Sequence, residues 1–362
     1  MNIVDTLKFF MTQPAPSGYE KEMAYSLKSA LAPLADEISI DRLGNVIAKI
    51  RGTDASSPAV MVYAHMDQPG FIVRKIEPDG YLQLDRLGGI PEKVLPGLNL
   101  VIRSEDGRFH PGVVGSKSHH ATPPEEKYKV DAITSLYIDI GANTADQVRK
   151  AGIEIGCPAV YRPSFERLQG TRLCGTAVDN RGGCAALVRI ASYLKQMKPV
   201  SDIYLVGTVW EEFNLRGAMI AARTVKPEIA ICLDVALSGD TPDLKSRFEA
   251  KLGAGPSVLM YSFHGRGTLN GTLPQEGIVK LALSTAKDAG ITLQRFAAVG
   301  ILTDSSYLQL ENMGIVSVEL GFPTRYTHSP IEVCDVKDIE DLSRLVSAMV
   351  CKIDKSFCLQ RY

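Results

Sequence analysis

DIYLVGTVWEEFNLRG (202–217) runs from a short apolar stretch straight into two adjacent carboxylates, Glu211 and Glu212. A continuous apolar run of this length, followed at once by the helical pattern LRGAMIAARTV (215–225), is the signature of a strand buried on both faces of a mostly parallel sheet. The bland reading of the Glu-Glu pair is a solvated loop. The alternative is that the pair stands at the carboxyl edge of a sheet, where open α/β proteins collect their chemistry. What decides is whether other polar residues fall on the same edge.

Several do. AVMVYA (59–64) is a second short apolar run, and His65 and Asp67 directly follow it. EIAICLDV (228–235) is a third, closed by Asp234. His328 comes in the loop after the strand expected at Ile315–Leu320, and Asp179 stands where DNRGGCAALVRIASYLKQM (179–197) begins a helix. Taken singly, Asp179 reads as an N-cap, His328 as a loop histidine, Asp234 as a turn residue and His65 as a core histidine satisfied by its neighbour. Their coincidence on one edge argues for a site.

Two histidines with several carboxylates form a borderline-hard donor set suited to zinc, cobalt or manganese, without the thiolates of a structural zinc site. If one carboxylate bridges, two divalent ions each receive one histidine and one terminal carboxylate, about 3.5–4 Å apart, around a shared water. The repulsion between the two glutamates is then offset: Glu212 binds a cation, and Glu211 serves as general base toward the water. Asp67 is placed to orient the His65 ring through its other nitrogen.

The rest of the chain sets the frame. Its 362 residues exceed one typical domain, and 45% apolar with 22% charged residues fits an ordinary globular protein. A net charge of −1 gives no footprint for nucleic acid or a membrane surface. Seven scattered cysteines with no CxxC suit reduced thiols, and no apolar run nears the ~20 residues that span a bilayer. The N-terminus reads as a short helix and not as a signal peptide, so the expected location is cytoplasmic. Ser17 and Glu20 have capping-box spacing before a helix carrying Met23, Leu27 and Leu31, and residues 37–52 read as a hairpin turning at Leu43-Gly44-Asn45. From 71 to 167 short alternating segments (FIVRKI, YLQLDRL, LVIRS, SLYIDI) point to an all-β barrel or sandwich, with 116–131 as a long polar loop. Beyond about 171 strands and helices alternate again, with helices expected at 276–290 and 336–355 and a strand at 292–297. The expected fold is a three-layer α/β/α domain with a central mixed sheet, formed by 1–70 and 168–362, with residues 71–167 inserted as a β domain.

The motifs AHMDQPG (64–70), GSKSHH (115–120), AVDNRGG (177–183), EEFNLRGA (211–218), LDV (233–235), TDSS (303–306) and THSPIEV (327–333) follow one another along nearly the whole chain. In them the chain resembles the dinuclear metallo-aminopeptidases that assemble into tetrahedral particles, the glutamyl and deblocking aminopeptidase family. The resemblance implies an aminopeptidase acting on short peptides, with two divalent ions per chain, zinc foremost and cobalt or manganese as alternatives. It implies that Asp179 bridges, that His65 and Asp234 complete one metal site and Glu212 and His328 the other, and that Glu211 is the base. It also implies dimers built through the 71–167 insert, assembling into a closed homo-oligomer of twelve. Gln68, Pro69, Asn180 and Trp210 depart from the family's usual residues, which touches tuning and substrate preference and leaves the ligands in place. Two rival readings stay open on the residues: a related two-metal carboxypeptidase or N-acyl amino acid deacylase, and a non-catalytic metal-binding scaffold.

Overall fold

The computed structural model describes residues 2–265 and 270–362. Four strands, Ile203–Thr208, Val60–His65, Ile229–Leu237 and Val316–Arg325, lie side by side and parallel at the centre of a twelve-stranded sheet. They are the apolar runs of the sequence, and the alternation of side chains explains why they carry no polar face. Val60, Val62 and Ala64 pack into one core, while Met61 and Tyr63 pack into another on the opposite face.

Helices cover both faces. Ile3–Met11, Lys21–Leu31, Val178–Met197, Glu276–Asp288 and Val336–Val350 bury their apolar stripes in the larger core, and Gly217–Val225 with Ser305–Leu308 cover the other. The hairpin Glu37–Ile40/Val46–Ile50 extends the sheet beside Ile203–Thr208. Antiparallel Glu332–Asp335, Arg172–Gly175 and Phe165–Arg167 extend it on the other side. The sheet is therefore mixed, as expected. The last helix stops at Val350, short of 355, and the strand expected at 292–297 runs over Gln294–Val299.

Between these halves, Gly70–Ile76, Leu82–Leu87, Ile138–Asp139, Phe109–Val114, Asn99–Arg103 and Pro158–Tyr161 pair in that order and close into a barrel. Its interior is separate from the two sheet cores and includes Phe71, Leu84, Leu100, Ile102 and Tyr161. The stretch is not purely β. Ala145–Lys150 is a short helix capped by Thr144, and SLYIDI yields only the two-residue strand Ile138–Asp139. Residues 116–131 are largely irregular and exposed, with Tyr128 wholly in solvent.

The expected capping box fails. The helix Lys21–Leu31 has no side-chain cap. Ser17 Oγ donates instead to Asp67 Oδ2 at 2.6 Å, and Glu20 Oε1 accepts the N–H groups of Gly18 and Trp210. The spacing matched, but Ser17 is taken by a partner across the fold and Glu20 by the turn at Gly18 and the Trp210 backbone. Among the described residues, no helix is long and apolar enough to cross a membrane.

Candidate metal centre and active site

The strand ends bring the singled-out residues together. His65 is the last residue of Val60–His65, Asp234 lies near the carboxyl end of Ile229–Leu237, and the Glu211–Glu212 loop follows Ile203–Thr208. His65 Nε2 stands 3.1 Å from Asp179 Oδ1 and 3.8 Å from Asp234 Oδ1. His328 Nε2 stands 3.4 Å from Glu212 Oε1 and 3.7 Å from Asp179 Oδ2. The two oxygens of Asp179 thus face two different histidines.

Three sets of ligand atoms converge closely enough to hold an ion: His65 with Asp179 and Asp234, Asp179 with Glu212 and His328, and His65 with Glu211 and Glu212. The first two share Asp179. Glu212 Oε1 is buried with no hydrogen-bond partner, an expensive state for a carboxylate unless a cation faces it. Burial also pushes the Glu212 carboxyl up to about 8, against the pull of His328, and raises Glu211 well above the usual carboxylate range and Asp234 to a lesser degree. Burial works to lower both histidines, but the carboxylates outweigh it: His65 is raised well above its ordinary value, chiefly by Glu211, and His328 is raised to about 9, chiefly by Glu212. A pocket that drives acids toward neutrality and imidazoles toward charge is short of positive charge, and divalent cations suit it.

The loops that deliver these groups are held in uncommon backbone conformations. Ala177, Trp210 and His328 all have positive φ (58°, 59° and 66°), each at or within two residues of a ligand candidate. Such conformations cost on the order of 1–3 kcal/mol each and cluster where geometry must be fixed. Asp179 is no N-cap, because Ala177 occupies that position and Asp179 itself has non-helical dihedrals.

Asp67 faces the other nitrogen of His65 and has a second role. The His65 Nδ1 atom lies nearest the Asp67 backbone carbonyl, at 3.2 Å, and 3.7 Å from the carboxylate. That carboxylate is fully buried and accepts three bonds, from the N–H groups of Glu211 and Glu212 at 3.0 Å each and from Ser17. So it ties the Glu-Glu loop to the His65 strand end, which explains how two like charges are kept at a strand terminus. Two of the departures, Gln68 and Asn180, have partners here as well. Gln68 Oε1 accepts from Arg181, a fully buried guanidinium that also bonds the carbonyls of Phe10 and Gln13. Asn180 donates to Leu233 and accepts from Gly183.

Two contributions escaped the sequence. Glu332, in the THSPIEV motif, is fully buried and accepts the N–H groups of Asp179 (2.9 Å) and His328 (2.6 Å), bracing both loops at once. Its four-residue distance from His328 was the available signal. The barrel also reaches the site: the Gly89 carbonyl meets His328 Nδ1, leaving Nε2 for the centre, and Tyr161 donates to the His328 carbonyl. A Cβ at Gly89 would lie 3.1 Å from that same Nδ1, so a side chain there would press on the ring.

The site opens into a cavity of about 420 Å³ lined by the six ionisable residues above and also by Val235, Leu237, Ile301 and Leu302. A larger groove of about 650 Å³, among Ile3, Phe9, Tyr25, Leu34 and Val188, has no His, Cys, Asp or Glu in its lining.

Comparison with known proteins gives the family. The chain is 36% identical over 348 residues to a putative aminopeptidase, SgcX, of Escherichia coli K12, covering 96% of this chain and 93% of that one. Its structure is similar to that of an aminopeptidase from the archaeon Desulfurococcus kamchatkensis, with a TM-score of 0.92 at 31% identity over 99% of this chain and 96% of the other. It is also similar to the Pyrococcus horikoshii TET1 peptidase, which can assemble into a tetrahedron or a large octahedral shell (TM-score 0.84, 25% identity, 97% and 100% covered). Residues 44–345 match the model of the M42 glutamyl aminopeptidase family. The chain belongs to that family and is an aminopeptidase, a hydrolase that removes N-terminal residues.

Proposed function

We propose that this aminopeptidase works on short peptides through two divalent ions, zinc foremost with cobalt or manganese as alternatives, held by His65, Asp179 and Asp234 on one side and Asp179, Glu212 and His328 on the other. The observation that carries the reading is Asp179, whose two oxygens face the two histidines. Ions bound there would supply Lewis acidity toward the scissile carbonyl and make a water molecule more acidic. Glu211 takes the proton of the attacking water and returns it to the leaving amine. Its position supports that role, since its carboxylate converges with His65 and Glu212 beside the proposed ions and water. Asp67 holds Glu211 in place through its backbone N–H.

The absence of Arg and Lys among the described residues lining the cavity speaks for an aminopeptidase over a carboxypeptidase, which needs a cation for the substrate's terminal carboxylate. Dipeptides with free and with acetylated N-termini, assayed with zinc, cobalt and manganese, test this. Hydrolysis of the free form alone is expected, and a preference for the acetylated form contradicts it.

Asp67→Asn is expected to lower metal affinity or activity by about 10–100-fold, because the amide loses an acceptor for one of the three bonds. Activity and occupancy equal to those of the wild type would reduce Asp67 to a turn residue.

The barrel, taken with its loops as a domain over 71–167 inserted between 1–70 and 168–362, serves association into dimers and then a particle of twelve. The TET1 likeness supports this, and a closed particle would admit short peptides and exclude folded proteins. Light scattering after size exclusion should give a large homo-oligomer; a monomer at micromolar concentration contradicts it. Replacing 71–167 by a short Gly/Ser linker should give a monomer. Because Gly89 and Tyr161 are lost with the insert, that monomer should also hold His328 loosely and bind less metal.

A further inference from the structure

We infer that the substrate's N-terminal side chain is apolar and uncharged, of leucine or methionine size, and that Leu237 and Ile301 form the wall that selects it. This rests on the aminopeptidase reading and adds the substrate class to it.

The cavity is lined by two unlike groups of residues. One carries the six ionisable side chains already described, which have work to do on the α-amino group, the ions and the reacting carbonyl. The other is built from the end of the Ile229–Leu237 strand and from residues 300–303, and offers Val235, Leu237, Ile301 and Leu302. All four are partly exposed, so they present apolar surface to the cavity while being anchored beneath. Leu237 and Ile301 pack on one small cluster made of Ala236, Phe248, Ala250, Leu259, Phe296 and Ala298. That backing makes the wall firm.

Charge argues against the other classes. Among the described residues on this wall there is no Asp, Glu, Lys or Arg, and His264 is the one ionisable side chain. An oppositely charged pair just beyond the same strand ends, Asp240 with Arg325, is closed on itself by two bonds of 2.7 Å. A glutamyl or lysyl side chain would enter apolar surroundings with its charge unpaired, which is heavily penalised. Added methylene groups gain about 10–200-fold each in a fitted pocket, so leucine should also exceed alanine.

The test is kcat/KM for leucine, alanine, glutamate and lysine p-nitroanilides with the metal-loaded full-length protein, together with inhibition constants of the free amino acids. The leucyl substrate should exceed the glutamyl and lysyl ones by about 10²-fold or more and the alanyl one by at least about 10-fold. Leu237→Asp should raise the lysyl-to-leucyl ratio by at least about 10-fold, because the new carboxylate pairs the lysyl ammonium. Ile301→Asp makes the same test if the first variant fails to fold. A wild-type preference for the glutamyl substrate overturns the inference and points to His264, and a lysyl preference overturns it too. Ratios unmoved by both substitutions remove Leu237 and Ile301 as the selecting wall. No turnover of any free-amino substrate contradicts the aminopeptidase reading itself, and this inference falls with it.

Discussion

Glu211→Gln keeps its fold and its metal and loses about 10²–10⁴-fold in turnover, the usual cost of removing a general base. At about 1.36 kcal/mol per factor of ten, this is roughly 3–5 kcal/mol of transition-state stabilisation. The substitution is nearly isosteric, and the Glu211 backbone stays tied to Asp67, so the loss reflects the missing base and not a displaced loop. The neighbouring Glu212→Gln should instead lower metal occupancy, since Glu212 Oε1 is buried without a hydrogen bond and faces His328 Nε2 across one of the proposed ion positions. The pair is informative because His65, Glu211 and Glu212 also converge closely enough to hold an ion. If Glu211→Gln loses metal as Glu212→Gln does, Glu211 is a ligand. If it turns over at the wild-type rate with saturating metal, it is not the base.

Asp179→Ala is expected to lose both ions, whereas His328→Ala weakens mainly one. Asp179 Oδ1 faces His65 and Oδ2 faces His328, so its removal opens both positions together. The Asp179 N–H that binds Glu332 belongs to the backbone and survives the change, which keeps the loop in place and isolates the loss of the carboxylate. Elemental analysis of the purified variants checks it: two full metal equivalents in Asp179→Ala would end the bridging assignment, and equal loss from Asp179→Ala and His328→Ala would show one coupled site in place of two separable ones.

The amino-acid order by itself determined the central sheet. Val60–His65, Ile203–Thr208 and Ile229–Leu237 are apolar on both faces over strand lengths, and such runs are stable only as buried parallel strands between helices. With the strands placed, their carboxyl ends were placed as well, and His65, Glu211, Glu212 and Asp234 fell on one edge because they directly follow those runs. Local pattern could go no further than that. The capping box at Ser17 and Glu20 had correct spacing, yet both side chains are claimed by partners more than forty residues away or by another turn, and spacing cannot weigh a local bond against a distant one. Asp67 was correctly associated with His65, but its carboxylate holds the Glu-Glu backbone 144 residues further along, a contact that exists only once two strands lie parallel side by side. Glu332 and the Gly89 carbonyl were invisible for the same reason: each acts by meeting backbone or ring atoms from a separate element, and neither leaves a periodicity. Chemistry that depends on residue type at a strand end is written in the sequence. Chemistry that depends on which loops meet is decided by the tertiary structure, because long-range packing alone sets those distances.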